Sequence, residues 1–148
     1  MANVQGMATS FKQDLLNGVH AFSAAYRATD TFKVSLYATT GSLGTATTAY
    51  TTANELTGTN YVAGGVAITN ATAPASSGTT AYWTPSGNFV WANLTSNAAF
   101  DAALVYNNTA AGKNAVSVHT FGAQNITAGT FTLTMPTNAA GTALLNLA

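Results

Sequence analysis

Two histidines, three aspartates and one glutamate are all the general acid–base material in the chain. Their best arrangement centres on His119. Ser117 stands two residues before it in the run AVSVHTF (Ala115 to Phe121), and residues two apart on a strand share a face. With Asp101 the pair would make a Ser–His–Asp set, in which histidine takes the serine proton for attack on an acyl carbon. That chemistry needs a serine presented on a strained turn between strand and helix. Ser117 sits inside a strand and has none. The sequence therefore predicts His119 as a hydrogen-bonded histidine at a sheet surface or interface, with no catalytic residue. His20, just past a short helix, suits the negative end of the helix dipole.

Other chemistries lack their residues too. No His, Asp or Glu cluster has metal-ligand spacing, no calcium-loop pattern of alternating acids occurs, and cysteine is absent. Neither GxGxxG nor GxxxxGK is present, so no phosphate loop or cofactor is expected. Asn70, Asn93, Asn107 and Asn125 each begin an Asn-x-Thr triplet, which a chain so rich in Asn and Thr produces by chance. Four Lys and Arg balance four Asp and Glu. Such a balance makes no basic footprint for nucleic acid.

Charge is the unusual quantity. Only 5% of the 148 residues are charged, against about 25% in an average soluble domain. They are Lys12, Arg27, Lys33 and Lys113 with Asp14, Asp30, Glu55 and Asp101, so residues 56–100 carry none. A chain of this mass exposes on the order of 7,000 Å², giving each charge about 900 Å². Thr, Asn, Ser and Gly supply the polarity instead. They are desolvated at little cost, as a surface made to be covered requires. With 47% hydrophobic and 10% aromatic residues spread along it, the chain is expected to fold rather than stay flexible. No run reaches the roughly 18–20 apolar residues of a membrane span. The start, MANVQGMATSFKQDLL, lacks a secretory pattern, so a cytoplasmic product without a signal peptide is expected.

The elements follow from periodicity. Ser10 and Gln13 read as a capping box opening a helix, with Asp14 in its first turn and Gly18 near its end. Phe11, Leu15, Leu16 and Val19 share its apolar face, which needs a partner surface. From Thr31 the period becomes two. Phe32, Val34 and Leu36 alternate with Lys33, Ser35 and Tyr37 as a half-buried strand. Residues 39–52 read as a loop with a short helical turn near 50–55. Residues 61–70 are strand-like, with Gly64-Gly65 marking a bulge or a close backbone approach. Residues 80–84 and 88–94 form a hairpin around Pro85-Ser86-Gly87. Residues 100–106 read as a central strand, 115–121 and 129–135 as clear strands, and 144–148 as a final edge strand.

Seven or eight strands predict a mainly β fold, a jelly-roll-like antiparallel β-sandwich with one short N-terminal helix. Residues 1–30 form an N-terminal arm and helix, and residues 31–148 the sandwich. The aromatics Tyr82, Trp83 and Trp91 gather at the hairpin, where they serve core and interface or, alternatively, a glycan platform. The expected contact residues are Phe11, Leu15, Leu16, Val19, Tyr82, Trp83 and Trp91.

The runs MANVQGMATSFKQDLLNGVHAF, FKVSLY, TANELTGTNYVAGGVAITN, FDAALVYNNT, KNAVSVHTFG and TAGTFTLTMPTN, together covering most of the chain, resemble a family of small tailed-phage virion proteins of the capsid cement (decoration) type. The resemblance implies a jelly-roll-like sandwich located in the virion, on the capsid surface. It further implies the major capsid protein as partner and a homodimer or homotrimer, with no nucleic acid, membrane or small-molecule substrate. A head-fibre base, tail or connector protein, or a glycan- or receptor-binding module, is the alternative. Ends that order on a neighbour would suit such a role, so removal of residues 1–22 is expected to spare the sandwich and weaken attachment.

Overall fold

The structure is a computed structural model that describes residues 2–25, 28–68, 72–85 and 87–148. Among these, eleven strands and one helix make a mainly β, sandwich-like fold of antiparallel sheets that do not close into a barrel. The central sheet has the order β1-β9-β8-β2-β4: β1 is Gly6–Met7, β9 Ala115–Gln124, β8 Phe100–Asn107, β2 Phe32–Ala38 and β4 Val66–Ala67. Two three-stranded sheets accompany it. One joins β10 (Gly129–Leu133), β7 (Phe89–Ser96) and β3 (Gly58–Thr59); the other joins β11 (Leu145–Leu147), β6 (Thr80–Trp83) and β5 (Ala75–Ser77).

The central strand expected at 100–106 lies between β9 and β2, and Ala102 to Asn107 are all buried. β2 departs from its half-buried pattern. Phe32, Val34 and Leu36 face one side with Asn107, Val105 and Ala103 as cross-strand partners. On the other side Ser35 and Tyr37 are completely buried as well. The polar-looking face is covered because residues 50–64 fold back over it with three tyrosine and glutamate side chains. Gly65 permits that return: its φ is +68°, and a Cβ there would lie 1.9 Å from the Val34 carbonyl oxygen. The glycine pair thus marks a close backbone approach, and among the described residues of the expected strand (61–68) only Val66–Ala67 is extended. No helical turn forms at 50–55.

The helix α1 spans Thr9–Leu16 and lacks the expected capping box. Ala8 is its N-cap and no side chain caps it. The neighbouring fold takes the place of a cap: Ala8 N–H donates to Val116 O and Thr9 N–H to Thr45 O, both at 2.8–2.9 Å. Ser10 Oγ is left buried without a partner. With the start at Thr9, Asp14 falls in the second half of the helix rather than its first turn. The C-terminus follows the glycine rule. Gly18 has φ +67°, its N–H donates to Leu15 O, and Val19 N–H donates to Asp14 O, the double bond pattern of a Schellman end.

β6 and β7 do not form a hairpin with each other. β6 pairs with β5 and β11, while β7 pairs with β10 and β3. Trp83 packs against Phe22 (4.7 Å) and Trp91 against Phe131 (5.7 Å), so each strand follows its own apolar partner. Ser86 of the expected turn lies outside the described residues. In β10 the alternation holds: Phe131 is buried, Leu133 half-buried, and Thr130 and Thr132 exposed. β11 is an edge strand, as expected at 144–148.

Candidate functional site

The strand β9 places Ser117 and His119 on one face, and their side chains meet at 2.8 Å between Oγ and Nε2. Asp101 does not complete a triad. Its carboxylate accepts from Asn3 Nδ2 at 2.6 Å, and that same amide also reaches Ala38 O. Ser117 is 2% exposed and β1 lies beside it, Met7 opposite Ser117 in register. The hydroxyl is closed to an acyl substrate. Burial pushes the His119 imidazole down from its ordinary value to about 4, so the ring is neutral at neutral pH. Beside it a cleft of about 400 Å³ opens between the central sheet and residues 133–144.

The seven expected contact residues separate. Phe11, Trp83 and Trp91 are 0%, 2% and 4% exposed and belong to the core. Little of them is exposed, and the two tryptophans lie in different sheets, so they form no shared aromatic platform for a sugar. Leu15, Val19 and Tyr82 are half-buried, and Leu16 is 92% exposed. The helix face is narrower than its sequence pattern suggested, since α1 ends at Leu16 and turns that side chain outward. Leu15 and Tyr82 do come together. With Phe11, Trp83, Leu145 and Leu147 they line an apolar groove of about 120 Å³.

Two polar clusters had no sequence signal. In the first, Glu55 accepts from Tyr50 Oη (2.6 Å), Tyr61 Oη (2.9 Å) and Gly64 N–H (2.6 Å). Tyr106 Oη donates to Gly64 O at 2.8 Å and its ring stacks on Tyr50. Burial, reinforced by the Glu55 charge, raises all four tyrosines here, Tyr37 and Tyr106 to about 12. In the second, Asp30 Oδ2 accepts from Ala21 N–H (2.8 Å) and Asn107 Nδ2 (2.7 Å). Asn107 Nδ2 also faces His20 Nδ1 at 3.1 Å, and His20 Nε2 lies 3.6 Å from Asp14. Asn107 is completely buried, so its Asn-x-Thr triplet is inaccessible in the fold; Asn70 lies outside the described residues. The partners of Glu55 lie within nine residues of it, and the topology brings in Tyr106 from far away. In the second cluster the topology brings Asn107 to Asp30 and His20.

Together these contacts occupy every acidic side chain: Asp14 accepts from Asn114 Nδ2 at 2.8 Å, Asp30 and Asp101 from asparagines, and Glu55 from tyrosines. The acids are internal fasteners. Among the described residues no group of three His, Asp or Glu side chains could hold a metal ion, and no helix is long and apolar enough to cross a membrane. Comparison with protein-family models, with curated proteins and with solved structures finds no match.

Proposed function

We propose that this chain is a structural protein of a tailed-phage virion, a cement protein seated on the major capsid protein shell. The observation that carries the reading is the character of its surface. Eight charged residues share 7257 Å² of accessible surface, roughly one per 900 Å², and all four acids are already bonded to the protein's own amides and hydroxyls. Apart from Lys12, Lys113 and a few aliphatic side chains, what remains outside is largely Thr, Asn, Ser, Gly and Ala, which a partner can cover without stripping water from ions. The resemblance in sequence points the same way. Many copies on one shell turn weak contacts into firm attachment.

The contact surface that the geometry favours is the apolar groove with Leu15 and Tyr82 on its wall, extended by exposed Leu16. Quantitative mass spectrometry of purified particles tests the assignment. Hundreds of copies per head are expected, and a dozen or fewer would place the protein in a tail or connector instead. Leu16→Asp with Tyr82→Ala is expected to reduce occupancy on the head while the free protein stays folded. Full occupancy by that variant would move the contact elsewhere.

A further inference from the structure

The cleft beside His119 has the makings of a ligand site that shell attachment does not use. Its floor is apolar, formed by Val34, Ala103 and Val105 of the central sheet, and Leu133 and Leu144 wall it from the far side. No Lys, Arg, Asp or Glu lines it, and His119 is its sole titratable side chain. At about 400 Å³ it falls in the usual range of small-molecule pockets, roughly 300–1,000 Å³, which pair apolar walls with a few placed polar groups.

The imidazole supplies such a group. Nε2 is held by Ser117 Oγ, while Nδ1 has no hydrogen-bond partner among the described residues and is not among their buried unpaired atoms. We propose that this cleft binds a small uncharged molecule with an apolar body and one hydroxyl, anchored on Nδ1 of His119. A hydroxyl fits whichever tautomer the ring holds. If Ser117 donates to Nε2, Nδ1–H donates to the ligand oxygen; if Nε2–H donates to Ser117, Nδ1 accepts the ligand proton. A charged ligand would lose its hydration and find no counter-ion. With Ser117 closed off, the molecule is held and not attacked.

The test is a nuclear magnetic resonance titration of the full chain at neutral pH with three probes of one shape: p-cresol, toluene and p-toluate. p-Cresol is expected to shift the signals of His119, Thr134 and Leu144 saturably. Toluene should bind the same place about fivefold more weakly, the worth of one net hydrogen bond. p-Toluate should be at least about tenfold weaker than p-cresol, having a buried charge without a partner. His119→Phe should keep toluene binding and erase the advantage of p-cresol. If that variant does not fold, the ranking on the native chain still decides. Equal affinity for p-toluate, saturable shifts at the Leu145–Leu147 groove, or no shifts at all would each overturn the proposal.

Discussion

Tyr61 Oη donates to the Glu55 carboxylate at 2.9 Å and at the same time accepts from the Leu36 N–H at 2.9 Å. One hydroxyl thus ties the returning loop to the backbone of β2 in the central sheet. Tyr61→Phe leaves a backbone donor and a carboxylate each short of a partner, so a loss of about 1–3 kcal/mol is expected. Glu55→Gln keeps the shape but weakens three charge-assisted bonds and is expected to cost a similar amount. Urea unfolding of both single variants and the double variant checks this. The double variant should lose less than the two losses combined, because the residues share one network.

Gly65 and Gly78 separate two ways in which a glycine can matter. Both have positive φ, +68° and +58°, but a Cβ on Gly65 would strike the Val34 carbonyl while one on Gly78 meets nothing within 4 Å. Gly78→Ala is therefore expected to cost about 1–2 kcal/mol, the left-handed backbone term alone. Gly65→Ala must also push the loop off β2. A loss of more than about 3 kcal/mol is expected, with the Glu55 contacts disturbed, read as a drop in thermal midpoint far beyond that of Gly78→Ala.

The strands were legible where burial and alternation agree, as in Phe100–Asn107 and Gly129–Leu133. They misled where a distant segment covers a polar face. Ser35 and Tyr37 look solvent-facing until residues 50–64 are folded over them. The hairpin at 80–94 looked local, yet Trp83 and Trp91 each answer to an aromatic far away in sequence, Phe22 and Phe131. The Ser117–His119 contact could be read from spacing alone. The tie of Asp101 to Asn3, 98 residues away, could not.

The N-terminal residues are part of the core, which reverses the expectation for their removal. Ala8 and Phe11 are 0% exposed, Phe22 stacks on Phe32 at 4.4 Å, and β1 pairs with β9. The arm is not a loose end waiting for a neighbour: Val4 N–H donates to Leu43 O, and Asn3 is bonded to Ala38, Leu43 and Asp101. Deleting residues 1–22 is expected to abolish cooperative unfolding rather than leave an intact sandwich. Phe11→Ala alone should cost about 3–5 kcal/mol. Circular dichroism melts of the truncated and point-substituted chains distinguish the two pictures; a sharp, near-native transition after truncation would restore the arm.

His119 makes stability fall with acid. Its folded-state value is about 4, below the ordinary value of about 6.5 for an unfolded chain, so the unfolded state binds the proton more readily. The neutral ring's contribution is complete above about pH 6.5 and is lost as the pH drops toward 4. With solvent reaching part of the ring from the cleft, a loss of about 1–2 kcal/mol between pH 7 and 4.5 is reasonable. The His119→Gln chain serves as the reference, since the two proteins differ in this one ring alone. The difference between their urea midpoints should shift in favour of the variant by that amount on acidification. A difference that stays constant from pH 7 to 4.5 would mean that the ring takes up its proton as easily in the fold as outside it.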